Sequence, residues 1–244
     1  MFKRKLILKK THDKTPSGKP EVTLLCLHGI ATDAVHTYGR IWPYLEGTQS
    51  MKNVRFVGLD WLGHGKSSKS KKLEYTYEEQ MEALENSIKK YKIEGPIIVM
   101  CHSLGTLLTA RYAETHKKAF SRILMVSPVP YSREEVKFLE AQGNNTGFIQ
   151  RMGKKWIKNK AFMNSIHNIS YDIKNNKTFE NLTTKTTMII GTEDEMLSLK
   201  NLRYLAKANS KHLNLIEMKG HHGVSRTKYT KILEVLEGFI SEII

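Results

Sequence analysis

Apolar residues in this chain gather into short continuous runs: Val22 to Leu27, Val54 to Leu59, Pro96 to Met100, Ile123 to Val126, Thr187 to Ile190 and Leu213 to Met218. Runs this short and this rich in Ile, Leu, Val and Met predict strands buried on both faces. Between them the apolar spacing changes to three and four. Met81, Leu84, Ile88 and Tyr91 predict a helix over Tyr75 to Tyr91, opened by the capping box Thr76-x-x-Glu79. Leu104, Leu107, Leu108 and Tyr112 predict another over Leu104 to Lys117, and an amphipathic segment, Lys228 to Ile244, closes the sequence. Lys5 to Lys9 reads as a strand forming an opening pair with Val22 to Leu27 across the turn-rich Thr15-Pro16-Ser17-Gly18-Lys19-Pro20. Strands alternating with helices predict an α/β fold, a mostly parallel doubly wound sheet.

One region breaks the rhythm. Residues 131 to 180 hold no convincing buried strand and are rich in Asn, Lys and Gly, yet Phe138, Phe148, Trp156, Phe162 and Tyr171 argue against disorder. They read as a small, mostly helical insertion, leaving residues 1–130 and 181–244 as the core of one domain.

Composition narrows the class. Hydrophobic content of 40% and charged content of 26% are ordinary for a globular chain of 244 residues. The two cysteines, Cys26 and Cys101, lie inside strand-like runs, which predicts buried free thiols in a reducing compartment. Leu6-Ile7-Leu8 is too short for a secretory core and nothing approaches a membrane span, so a cytoplasmic enzyme with no stable membrane insertion is expected. The net charge of +15 changes little. Residues 1–20 carry seven Lys/Arg against one Asp and residues 131–180 nine against five Asp/Glu, with the rest dispersed as lysine and no arginine-rich stripe. That is the signature of a solvated surface, and no nucleic-acid partner is expected.

The chemistry gathers at predicted strand ends, where doubly wound sheets place their sites. Cys101-His102-Ser103-Leu104-Gly105 lies between a strand and a helix, a corner that pushes the Ser103 hydroxyl above the sheet edge. An alcohol needs a base to become a nucleophile, and the base needs an orienting carboxylate. Asp194 follows the Thr187 to Ile190 strand through Gly191-Thr192-Glu193 and supplies the acid. His221 follows the Leu213 to Met218 strand, with His222 beside it, so the base is ambiguous by one position; if Leu213, Leu215 and Ile216 face the usual way, His221 is the better placed. The first strand ends in Leu27-His28-Gly29-Ile30, and the N–H groups of Ile30 and Leu104 form an expected oxyanion hole, with His28 bracing the loop. The His-His doublet lacks the His-Glu-x-x-His or Cys-x-x-Cys partners of a metal site, and Gly65-Lys66-Ser67 lacks the earlier glycine of a phosphate loop, Asp60 standing there instead. Neither metal nor cofactor is expected.

The order Ser103, Asp194, His221, with His28-Gly29 and the segment Asp60-Trp61-Leu62-Gly63-His64-Gly65-Lys66-Ser67, resembles the α/β-hydrolase superfamily over residues 20 to 244 apart from the insertion. The resemblance implies Ser103 as nucleophile, Asp194 as acid, His221 as base, Ile30 and Leu104 as oxyanion donors, and residues 131–180 as a cap over a small-molecule pocket. Two features depart from the pattern: Cys101 where the elbow usually has glycine, and the histidine doublet. A serine at the elbow, where epoxide- and halide-processing members carry aspartate, implies acyl transfer. The expected reaction is hydrolysis of a small to medium ester, lactone or acylglycerol through an acyl-enzyme. C–C bond hydrolysis, perhydrolysis and acyl transfer share the triad, and a non-catalytic receptor is the alternative of another class. In the insertion, Trp156, Phe162, Met152 and Met163 read chiefly as the cap's own core, and Lys154, Lys155, Lys158 and Lys160 as a solvated helix face.

Overall fold

Seven strands lie side by side in one sheet: β1 (Lys9–Lys14), β2 (Val22–Leu27), β3 (Val54–Asp60), β4 (Ile97–His102), β5 (Arg122–Val126), β6 (Thr186–Gly191) and β7 (Leu213–Met218). Their spatial order is β1-β3-β2-β4-β5-β6-β7. Only β1 is antiparallel to its neighbour; β3 through β7 run parallel. The computed structural model describes residues 5–129, 178–195, 197–223 and 227–244.

Each strand sends alternate residues to opposite layers. Leu25, Leu27, Val99, Cys101, Ile123, Met125, Met188 and Ile190 face one core, which also takes Ala83 and Leu84 of α3 (Tyr77–Lys90) and Leu107 and Leu108 of α4 (Leu104–Thr115). Leu24, Cys26, Ile98, Met100, Leu124, Val126 and Ile189 face the other, under α1 (Ala34–Tyr38), α2 (Trp42–Glu46) and α7 (Tyr229–Ile243). Two dry faces explain why the central strands read as unbroken apolar runs. Among the described residues the remaining α-helices are α5 (Thr178–Asn181) and α6 (Leu199–Ala208). The capping box of α3 forms as its sequence predicts, Glu79 N–H donating to Thr76 Oγ1 and Thr76 N–H to Glu79.

The amino-terminal expectation is corrected twice. The strand is Lys9–Lys14 rather than Lys5 to Lys9, and it pairs with β3, not β2. The apolar Leu6-Ile7-Leu8 is instead held by α3 and its end: Leu8 N–H donates to Ser87 Oγ, Tyr91 Oη–H to Leu8 O, and Asn86 Nδ2 to Leu6 O. Side chains thus satisfy backbone groups that a ladder would have used. The strand beyond is polar because it is an edge, where lysines discourage pairing with another chain. At its end Asp13 sits between Arg55 and Lys10; burial raises its carboxyl, but the hydrogen bonds from Arg55 and Lys10 prevail and hold it down at about 2.

Of the expected insertion 131–180, residues up to 177 lie outside the described set, as do Trp156, Phe162, Met152, Met163 and the lysines between them. Among the described residues no helix is long and apolar enough to cross a membrane.

Candidate active site

Ser103 sits where β4 meets α4, with φ 50° and ψ −124°, a conformation costly for any residue with a Cβ. The surroundings hold it there. Ser103 N–H donates to Val126 O at 3.0 Å, Thr106 Oγ1 donates to Ser103 O at 2.6 Å, and Val129 N–H donates to Thr106 Oγ1 at 3.0 Å. Next along, Gly105 lets α4 press against β2: a Cβ there would lie 2.5 Å from His28 O and 2.7 Å from Leu27 O. Both are backbone atoms that yield little, so Gly105→Ala is expected to cost about 1–3 kcal/mol by overpacking. Denaturant unfolding checks this, with an unchanged midpoint as the contrary result.

Cys101, two residues before Ser103, belongs to β4 and is fully buried, its Sγ 3.6 Å from Leu124 O. Burial pushes its thiol up to about 12, and does the same to Cys26. Both cysteines are free and buried, as their strand positions predict. At pH 8 neither is expected to react with an aromatic disulfide reagent until denaturant is added. Rapid native labelling of Cys101 would reopen it as a nucleophile.

The structure brings Ser103 and Asp194 together, but through His222. His222 Nε2 lies 3.0 Å from Ser103 Oγ, and His222 Nδ1 lies 2.9 Å from Asp194 Oδ2. Since the carboxylate only accepts, Nδ1 carries the proton and Nε2 is left to accept from the hydroxyl. The Asp194 side chain is 1% exposed and that of His222 23%. His221, the base the sequence favours, is not brought to Ser103: its side chain is 75% exposed, with Nδ1 3.0 Å from Glu193 O and Nε2 3.6 Å from Glu193 Oε2. The count along β7 does not reach the histidines, because the strand ends at Met218 and a loop follows, with Gly220 at φ 152°.

Backbone contacts join the acid and histidine loops. Thr192 N–H donates to Met218 O at 2.7 Å and Glu193 N–H to Gly220 O at 2.9 Å. Gly191 makes the approach possible, because a Cβ on it would stand 2.1 Å from Gly220 O. Two acid–histidine pairs result, Glu193 with His221 outside and Asp194 with His222 inside.

The loop after β2 runs against the serine from the other side: a Cβ on Gly29 would lie 3.0 Å from Ser103 Cβ. Ile30 follows, and Leu104 is the first residue of α4, whose leading N–H groups have no partner within the helix. His28 braces this loop, as expected. Its Nδ1–H donates to Gly29 O at 2.7 Å, its Nε2 accepts from Trp61 N–H at 2.9 Å, and Trp61 Nε1–H donates to His28 O at 3.0 Å. Burial, together with nearby His64, holds the His28 imidazole well below its usual titration, so it stays neutral.

The segment after β3 forms the tight loop its glycines suggest. Asp60 accepts from Ala34 N–H at 2.9 Å and Lys66 N–H at 2.8 Å, tying the two loops above the sheet. Gly65, at φ 46°, has no room for a side chain: a Cβ would be 2.1 Å from Asp60 Oδ2. Two residues that sequence reasoning missed contact the histidine loop, His102 and Ser127, both at His222 O. The only sequence signal for them was position at a strand end. Among the described residues no group of three or more His, Cys, Asp or Glu is arranged to hold a metal ion.

A serine at the corner after β4, a carboxylate after β6 and a histidine after β7 meet at one edge of the sheet. A family model described as alpha/beta hydrolase fold matches residues 22–147, just over half the sequence, and the chain belongs to that family. It is 27% identical over 119 residues to a protein of Arabidopsis thaliana named as probable lysophospholipase BODYGUARD 5, covering 49% of this chain and 27% of that one. The chain spans about a quarter of the length of such curated relatives. Among solved structures it is similar to a monoacylglycerol lipase of Paleococcus ferrophilus, with a TM-score of 0.68, 20% identity, and coverage of 96% of this chain and 100% of that one. A carboxylesterase structure from Nitrososphaera gargenis gives a TM-score of 0.73 at 15% identity, covering 95% and 93%.

Proposed function

We propose that the protein is a serine hydrolase of carboxylic esters, with Ser103 as nucleophile, His222 as general base and Asp194 as the carboxylate that orients it. The observation that carries this is the relay from Ser103 Oγ through His222 to Asp194, with steps of 3.0 and 2.9 Å. Ser103 Oγ attacks the ester carbonyl as His222 Nε2 takes its proton. The tetrahedral oxyanion forms against the N–H groups of Leu104 and Ile30, each such donor contributing about 3 kcal/mol to acyl transfer. His222 then protonates the departing alkoxide, giving free alcohol and an acyl group on Ser103. Water, deprotonated by the same imidazole, releases the acid and restores the hydroxyl.

The substrate class proposed is a single-chain acyl ester such as a monoacylglycerol. It is supported by curated relatives named as probable lysophospholipases and a structural neighbour named as a monoacylglycerol lipase, both names denoting one-chain esters. Residues 131–180 are proposed as the cap that sets acyl length.

The test pairs a fluorophosphonate probe with a panel of p-nitrophenyl esters and monoacylglycerols of increasing chain length. A stoichiometric adduct on Ser103 is expected, and pretreatment with the probe should abolish turnover of whichever esters are cleaved. A chain that forms no adduct and cleaves no ester overturns the reading in favour of a receptor; turnover that survives full labelling removes Ser103 from the mechanism.

A further inference from the structure

We infer that His102 and Ser127 are positioning residues for the proposed base, acting together on the backbone carbonyl of His222 rather than on its ring. The inference rests on the serine-hydrolase reading only for its kinetic consequence; the geometry stands without it. Two side chains from neighbouring strands converge on one oxygen. His102 Nε2 lies 3.1 Å from His222 O and Ser127 Oγ lies 2.8 Å from the same atom. A carbonyl only accepts, so His102 carries its proton on Nε2 and the Ser127 hydroxyl points its hydrogen at the loop.

Ser127 is fully buried just beyond β5 in the left-handed region, φ 48°, with its N–H donating to Ile189 O at 2.8 Å. A non-glycine residue keeps such a conformation only where its surroundings require it, and here the consequence is a hydroxyl aimed across the top of β6 at the histidine loop. His102 is the last residue of β4, and its ring meets that of His222 edge-on, with centroids 5.2 Å apart at 61°.

The contacts close a ring. Ser103 Oγ meets the His222 imidazole; the carbonyl of that residue meets the His102 imidazole; and His102 is covalently joined to Ser103. Nucleophile and histidine are thus referenced to each other through a short circuit instead of through the whole sheet. An imidazole on a loop end, fixed only at its ring by Asp194 and Ser103, retains freedom to rotate with its peptide. Two bonds to both lone pairs of that peptide's carbonyl remove it, and sites need such support to within about 0.5 Å. The upstream bonds from Thr192 and Glu193 reach Met218 and Gly220; among the described residues, the bonds to the residue-222 carbonyl come from His102 and Ser127.

Three substitutions separate donor from bulk. Ser127→Ala removes the hydroxyl but keeps a Cβ at the same φ. His102→Phe keeps a ring and removes the donor; His102→Gln restores an N–H at similar reach. With rates expressed per fluorophosphonate-titrated site, Ser127→Ala and His102→Phe are each expected to lower kcat about five- to twentyfold with KM within about twofold, and the double variant about a hundredfold. His102→Gln is expected to recover most of the loss, which a purely packing role would not allow. Independently of turnover, the downfield proton signal of His222 Nδ1–H, assigned by its disappearance in His222→Gln, should broaden or vanish in the double variant. An unchanged signal there, or full per-site kcat in an active enzyme, overturns the inference. A wild type with the signal but with neither adduct nor ester turnover fails the hydrolase reading alone, and the signal in the double variant still decides the clamp.

Discussion

Replacing His222 by alanine is expected to lower kcat/KM by on the order of 10⁴- to 10⁶-fold, while His221→Ala stays within about threefold of wild type. The adjacent histidines differ in almost every respect that matters to proton transfer. The imidazole of His222 stands 3.0 Å from the serine oxygen and 2.9 Å from a buried carboxylate, whereas that of His221 is largely in solvent beside Glu193. Without the imidazole at 222, the hydroxyl has no acceptor and the leaving alcohol no acid, so both halves of the reaction fail together. Ester turnover by the two purified single variants, normalised to folded protein, decides it. Equal losses would mean that the loop rearranges in the working enzyme, and a loss confined to His221→Ala would restore the base that the sequence favours.

The second large effect is expected from Ser103→Ala: loss of the fluorophosphonate adduct together with a fall in kcat of on the order of 10⁴- to 10⁶-fold. Any residual rate, roughly 10³–10⁴ above water, would come from binding and the oxyanion donors of Ile30 and Leu104. The alanine keeps its Cβ in the same backbone region and gives up one hydrogen bond of about 1 kcal/mol, so thermal unfolding should hardly move. That contrast distinguishes chemistry from stability. A variant retaining more than about a tenth of wild-type turnover would remove the acyl-enzyme from the proposal.

Much of the framework could be read without coordinates, because burial on both faces leaves a plain trace. Val22–Leu27 carries the same bounds in sequence and structure, the other central strands differ by a residue or so, and the partly buried edge strand Leu213–Met218 also keeps its bounds. Helix α3 announced itself through Thr76 and Glu79. Where tertiary contacts outweighed local pattern, the reading failed. Leu6-Ile7-Leu8 looks like a strand but is bonded by side chains of α3 and its end, and the polar edge strand beyond it looks like a loop. Helices α1 and α2 are too short to display a period, five residues each.

The site divides in the same way. Ser103 and Asp194 follow from strand ends, since each lies within a few residues of a run that is easily seen. The histidine needed one further fact, the course of the loop beyond Met218, and no apolar pattern encodes that. His102 and Ser127 are still less legible: their partner is a main-chain oxygen about a hundred residues away, which only the strand order brings near.

The relay draws all three of its side chains from residues 103, 194 and 222, none of them within 130–177. Strand β5 ends at Val126 and β6 begins at Thr186, and the sequence between them supplies none of the three. On the proposed reading of residues 131–180 as a cap, grafting that stretch from a relative is expected to retune substrate choice while leaving phosphonate reactivity intact.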